Sequence, residues 1–159
     1  MPDRVALRRA VAGDRDALIA MQMGAYEPNR AIIGGVPTPL TWDYDEVLAE
    51  KEVWLGEDEV GLCGALILEL RPDDLYIQSI AVAPHAKGRG VGNRLIAHAE
   101  SRARAELRER LCLTVNGLMT FNLDWYTRKG FAITQIETVG QRRRIHMAKA
   151  LPSFEAKSI

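Results

Sequence analysis

Residues 80–92 constrain this chain more tightly than any other stretch. Ile80-Ala81-Val82-Ala83-Pro84 reads as the end of an apolar strand, His85-Ala86 follows, and Lys87-Gly88-Arg89-Gly90-Val91-Gly92 leads into a long helix. Glycines at every second position let the main chain take positive φ and let a ligand approach it closely. A helix starting near Gly90 adds unpaired N–H groups and the positive end of its dipole. Together these form a cradle for a phosphate or pyrophosphate, with Lys87 and Arg89 adding charge at the rim. A plain strand-to-helix turn needs one glycine, not three.

The spacing narrows the ligand. A P-loop would carry four residues between its glycines and then Gly-Lys-Ser/Thr, whereas Gly92 is followed by Asn93-Arg94. A dinucleotide fingerprint would need glycine at Asn93 and an acidic strand end downstream, and neither is present. The stretch resembles the Q/R-x-x-G-x-G/A loop that binds coenzyme A pyrophosphate in the GNAT acetyltransferase superfamily. Lys87 stands where that family usually has Gln or Arg.

A length of 159 residues with 47% hydrophobic content fits one domain, read as 1–151 with a tail at 152–159. Lys+Arg 21 against Asp+Glu 21 leaves no net charge, so no nucleic-acid partner and no anionic membrane surface are expected. Cys63 and Cys112 lie in apolar runs and read as small buried residues of a reduced protein. No signal-like segment or membrane-length apolar run is present, which places the expected location in the cytoplasm.

The periodicities give a strand over 5–9, a helix through Ala17, Leu18, Met21 and Ala25 after Gly13-Asp14, and a Pro/Gly-rich loop over 27–41. A short helix capped by Thr41 or Asp43 precedes a hairpin over 52–56 and 60–70, with Leu66-Ile67-Leu68 and Leu70 buried on both faces. A strand over 75–83 enters the glycine loop. The helix beyond carries Val91, Leu95, Ala99, Ala103 and Leu107 at steps of four. A buried strand over 111–115, a short helix capped by Thr120 and ended by Gly130, and closing strands over 131–138 and 144–149 complete the pattern. This order indicates a mixed α/β domain and matches the GNAT acyl-CoA N-acyltransferase fold, whose mixed central sheet has splayed strands and flanking helices.

A second segment carries the resemblance: Trp125-Tyr126-Thr127-Arg128-Lys129-Gly130-Phe131. In GNAT proteins a helical tyrosine followed by three residues and Gly-Phe stands beside the coenzyme A sulfur, which implies Tyr126 as the acid that protonates the departing thiolate. The resemblance further implies that main-chain groups of Ile80, Ala81 and Val82 hold the pantetheine arm. An amide at or near Ile80 would polarise the thioester carbonyl. Lys87, Gly88, Arg89, Gly90, Val91 and Gly92 would bind the pyrophosphate. Many members have Asn seven residues before the tyrosine; Met119 stands there, leaving Asn116 and Asn122 as substitutes, of which Asn122 shares the helix face of Tyr126.

The acceptor amine must lose a proton. Tyr76, Gln78, Ile80 and Val82 alternate on one face of their strand with no carboxylate among them, so a water-mediated route to an acid such as Glu69 is expected. Tyr26, Glu27, Trp42 and Tyr44 cluster where an acceptor pocket should form, with Glu27 attracting an ammonium group. His85 reads as a loop residue, His98 as lying in the polar part of its helix, and His146 as alternating in the last strand. No metal-ligand spacing is present. The Arg142-Arg143-Arg144 run reads as a solvated hairpin end.

These features lead to an acetyl-CoA-dependent N-acetyltransferase, with acetyl-CoA as co-substrate and no metal. The acceptor would be a small-molecule or peptide amine. A non-catalytic acyl-CoA sensor is the alternative, and a homodimer is expected by analogy with the family alone.

Overall fold

The computed structural model describes residues 5–152, so all of the expected tail except Pro152 lies outside the described residues. The strands are β1 (Ala6–Arg9), β2 (Glu52–Glu57), β3 (Leu62–Leu70), β4 (Leu75–Val82), β5 (Arg110–Asn116), β6 (Ala132–Val139) and β7 (Arg142–Ala150). The helices are α1 (Arg15–Tyr26), α2 (Asn29–Ile33), α3 (Tyr44–Glu50), α4 (Val91–Ala105) and α5 (Thr120–Arg128). Hydrogen bonding orders the strands β1-β2-β3-β4-β5-β7-β6, with β4·β5 parallel and β1·β2, β2·β3, β5·β7 and β6·β7 antiparallel. The fold is mixed α/β. The chain divides into two compact units, one running to Glu69 and resuming over Gln78–His98, the other formed by Leu70–Ile77 and the residues from Ala99 onward.

In the first unit, α1 and α3 bring Leu18, Met21, Tyr44 and Val47 onto Val53 and Leu55 of β2, Ala65 and Ile67 of β3 and Ala81 of β4. The opposite face of β3 takes α4. A Cβ on Gly64 would lie 2.8 Å from Val91 Cγ1 and 3.1 Å from Leu95 Cδ1, so only glycine lets the start of α4 settle this close to the strand. Leu66, Ile67 and Leu68 are all 0% exposed, as expected for a strand covered on both faces, but Leu70, at the far end of β3, is 46% exposed. Asp43 is the cap of α3, accepting from the amides of Asp45 and Glu46.

The 27–41 segment is more ordered than its composition implied. Pro28 is at the N-cap of α2, Gly34 ends that helix at φ +68, and Thr38–Thr41 form a 3-10 turn. Proline suits the start of a helix and a left-handed glycine its end, so the same residues that read as a loop punctuate a short helix. His98 is not on a polar face. Its ring meets Trp54 edge-on at 4.3 Å.

In the second unit, Leu111, Leu113 and Val115 of β5 and Ile145 and Met147 of β7 are buried, while Arg142, Arg143 and Arg144 are exposed. The apolar stripe of α4 ends sooner than its spacing implied. Leu107 lies beyond the helix at φ +58 and is 87% exposed, with its amide donating to Arg104 O and that of Arg108 to Ala103 O. These two bonds close the helix as a Schellman motif, with leucine in the left-handed position usually taken by glycine. At α5, Met119 rather than Thr120 holds the N-cap position, and Gly130 at φ +97 follows the C-terminus.

Leu107→Gly should raise the unfolding free energy by about 0.5–1 kcal/mol, read by urea denaturation, because it removes left-handed strain without losing a packed side chain. A second measurement concerns Asp14. Hydrogen bonds from Arg8 and then from the Val11 amide hold its carboxyl down at about 2, against about 4 in an unfolded chain. A depressed carboxyl contributes stability above its unfolded value and loses it as pH falls through the folded one. Asp14→Asn should cost about 1 kcal/mol at pH ~7, a difference that shrinks as pH falls from about 4 to about 2.

Candidate functional site

The glycine loop begins where β4 is last held to β3, the Ala83 amide donating to Cys63 O at 2.8 Å. Pro84–Ala86 then form a 3-10 turn. Ala86 and Val91, 0% and 2% exposed, pin the two ends, and Lys87, Gly88, Arg89 and Gly90 stand exposed between them. Gly88 and Gly90 both sit at φ +80, and a Cβ added at either would meet nothing within 4 Å. These glycines therefore serve conformation and not packing. A main chain bent this way turns successive N–H groups toward a common side.

The first helical bond of α4 runs from the Arg94 amide to Gly90 O at 3.1 Å, so the amides of Val91, Gly92 and Asn93 project from its N-terminal end. Gly92 needs no positive φ. It is the second residue of α4 and not a third loop glycine. Main-chain donors, a helix N-terminus and the cations Lys87 and Arg89 suit the oxygens of a pyrophosphate. Among the described residues, no group of three or more His, Cys, Asp and Glu is placed to hold a metal ion. No helix among them is long and apolar enough to cross a membrane.

His85 is tied back to the β2–β3 turn, its Nε2 lying 3.1 Å from Asp58 Oδ2. Burial works to raise the Asp58 carboxyl, but the amides of Val60 and Gly61 and the His85 ring outweigh it and hold the group below the usual carboxylate range.

The main chain before the loop is available for a different reason. Successive strand residues send their N–H and C=O groups to opposite edges. Since Ala83 faces β3, Ala81 shares that edge, and Ile80 and Val82 face the other. The β4·β5 ladder on that second edge pairs only Leu75 with Leu111 and Tyr76 with Cys112 among the described residues.

Tyr26 reaches this segment. Its hydroxyl is 2.8 Å from Ser79 Oγ and donates to Ile80 O at 3.2 Å. Burial pushes the phenol up to about 12, the Ser79 contact only partly offsetting this. Gln22, 0% exposed, donates to both Ser79 Oγ and the Tyr44 hydroxyl, and Tyr44 donates to Pro39 O. Tyr44 is itself in the core at 5% exposed, and burial raises its phenol. Gln22 and Ser79 escaped the sequence reading. The one signal was a glutamine beside Leu18 and Met21 on the apolar stripe of α1.

The other acceptor-side residues are dispersed. Glu27 is exposed and bound to Arg30 at 2.7 Å, which lowers its carboxyl. Trp42 has its ring 6.3 Å from that of Tyr44 and lines a cleft of about 150 Å³ with Asp43, Glu46, Val47, Glu50, Lys51 and Gln78. Glu69 is engaged by Lys51 Nζ at 2.6 Å.

In the second unit, Tyr126 lies in the last turn of α5, where its ring meets Trp125 at 5.0 Å and Phe131 at 5.6 Å, both edge-on. The amides of Lys129 and Phe131 both donate to Tyr126 O at 3.0 Å, closing the turn through Gly130. The Gly-Phe pair thus ends the helix and locks the tyrosine ring. Asn122 lies one turn earlier and is partly exposed, while Asn116 spends its Oδ1 on the Leu118 amide.

The chain is similar to known proteins in sequence and in fold. Residues 49–133 match the family model described as an acetyltransferase (GNAT) domain. Among solved structures, the PaiA N-acetyltransferase of Thermoplasma acidophilum in complex with coenzyme A is 15% identical, with a TM-score of 0.79 over 92% of this chain and 99% of that one. The IAA acetyltransferase of Bacillus cereus is 21% identical, with a TM-score of 0.69 over 93% and 100%. A GNAT family acetyltransferase of Elizabethkingia anophelis with acetyl-CoA bound is 20% identical, with a TM-score of 0.70 over 92% and 98%. The structural likeness carries the fold, and the family-model match spans more than half of the sequence: the chain belongs to the GNAT acetyltransferase family.

Proposed function

We propose that this chain takes acetyl-CoA as donor and transfers the acetyl group to a primary amine by direct attack. The observation that carries this reading is the exposed loop at Gly88 and Gly90, both at φ +80 and opening onto the N-terminus of α4. Lys87, Gly88, Arg89, Gly90, Val91 and Gly92 hold the pyrophosphate, and the outward main-chain groups of Ile80 and Val82 line up the pantetheine arm as a strand-like neighbour. Ala81 faces β3 and supports that edge.

The amine nitrogen forms a bond to the acetyl carbon as the carbon–sulfur bond breaks. Negative charge grows on the carbonyl oxygen, and the Ile80 amide is the donor on the correct edge to meet it. Tyr126 gives its phenolic proton to the departing thiolate. Asn122, on the same helix face, contributes to the coenzyme site.

The acceptor is a small amine, an amino-acid derivative or a peptide amine. Trp42 and the carboxylates beside it in the 150 Å³ cleft suit a cationic group. Tyr44, buried and hydrogen-bonded to Gln22 and Pro39, packs its ring near Trp42, and Tyr26 acts on β4. Paired as they are, Glu69 and Glu27 supply field and not a free base.

The test is coenzyme A release measured with a thiol reagent over a panel of alkylamines, amino-acid amides and short peptides. At least one amine should be acetylated, and Tyr126→Phe should lower kcat by about 10²-fold with little change in KM for acetyl-CoA. Equal rates for parent and variant would remove Tyr126 from the reaction. Binding of acetyl-CoA with no turnover on any amine would identify an acyl-CoA sensor.

A further inference from the structure

Four side chains on four different strands of the second unit form one hydrogen-bonded line. The Tyr76 hydroxyl on β4 donates to Thr114 Oγ1 on β5 at 2.8 Å. Thr114 Oγ1 lies 3.3 Å from His146 Nδ1 on β7, and His146 Nε2 lies 3.0 Å from Glu137 Oε1 on β6. The β5·β7 register sets Thr114 opposite His146.

One assignment of donors lets a proton run the length of this line. Thr114 Oγ1 accepts from Tyr76 and keeps its own proton to offer; turned toward His146, that proton makes Nδ1 the bare, accepting nitrogen. Nε2 then carries the ring proton and gives it to the Glu137 carboxylate. Each group donates away from Tyr76, the arrangement that draws a proton from the tyrosine end and leaves it on an imidazole held by a carboxylate.

The two ends are placed for different tasks. Tyr76 is the last residue that β4 pairs with β5, so its ring stands where the two strands part. The Arg71 guanidinium, held by two hydrogen bonds to the Asp74 carboxylate, lies 4.4 Å from its ring centroid and packs the ring from one side. At the other end, the His146 and Glu137 side chains are 33% and 40% exposed, so a proton delivered there passes on to water.

We propose that Tyr76, Thr114, His146 and Glu137 form the proton relay that serves the acceptor amine, with His146 as its terminal base. The proposal rests on the N-acetyltransferase reading and supplies the base that reading lacks. As the nitrogen–carbon bond forms and the carbon–sulfur bond breaks, the ammonium proton moves to Tyr76 Oη. The Tyr76 proton passes to Thr114 Oγ1 and the Thr114 proton to His146 Nδ1. The imidazolium, paired with Glu137, returns its proton to water. The thiolate takes its proton from Tyr126, which recovers one from solvent, so the products are the acetylated amine and coenzyme A thiol.

Two measurements test this. Nitrogen-15 NMR of the imidazole rings reads the His146 tautomer in the intact protein without any substrate, and the Nε2–H form is expected. The Nδ1–H form would reverse the line and overturn the relay. Kinetics with the best amine of the panel should show Thr114→Val and His146→Gln each lowering kcat by about 10²-fold, and the double variant by no more than either alone. Thr114→Ser should retain activity. So should Thr134→Val, which removes a neighbouring cross-strand hydroxyl bonded to His146 O. A folded Thr114→Val that matches the parent would overturn the relay while leaving the acetyltransferase intact. A parent that acetylates no amine would overturn both. If Thr114→Val does not fold, His146→Gln and the tautomer decide the matter.

Discussion

Every main-chain N–H and C=O of a buried strand needs a partner, and β4 meets that demand unevenly. On one edge it is held up to the Ala83–Cys63 bond. On the other, pairing with β5 covers only Leu75 and Tyr76 among the described residues. The groups of Ile80 and Val82 face this second edge, where the proposed pantetheine arm would lie. Tyr26 takes the Ile80 carbonyl, covering the negative end of that dipole and leaving the amide of the same residue as the donor. The polar cluster of Gln22, Tyr44 and Ser79 holds Tyr26 in place, which explains why hydrogen-bonding groups are tolerated inside an otherwise apolar core.

The glycine loop continues from that edge, and its precision comes from packing below it. Gly64 admits Val91 and Leu95 against β3, fixing where α4 begins. Ala86 and Val91 are buried on either side of four exposed residues. The cradle is thus a short glycine-turned span between two anchors, which suits a site that must present amides to an anion without rearranging first.

Much of this was legible in the sequence because it depends on local rules. Alternation gave β4, the glycines gave the loop, steps of four gave α4 as far as Ala103, and Gly130-Phe131 gave the end of α5. Where the reading failed, local signals pointed both ways. Pro28 and Gly34 bound a helix as readily as they mark a loop, and Leu107 continues an apolar period while occupying a left-handed turn. The partners of polar side chains were not legible at all. Nothing in their order along the chain joins Lys51 to Glu69, His98 to Trp54, or Thr114 to His146. Those contacts are set by strand register and by α4 packing, which are long-range properties.

Donor binding depends above all on the main chain at Gly88 and Gly90 holding the pyrophosphate. Calorimetric titration of acetyl-CoA into the parent and into Gly90→Val measures this most directly. An L side chain at φ +80 costs about 1–2 kcal/mol, and the position is exposed with no atoms to clash. Binding should therefore weaken by about tenfold or more, while the same cost lowers the thermal midpoint by about 2–8 °C and leaves the protein folded for the titration. Equal affinity in the two proteins, or no binding by the parent, would contradict the account.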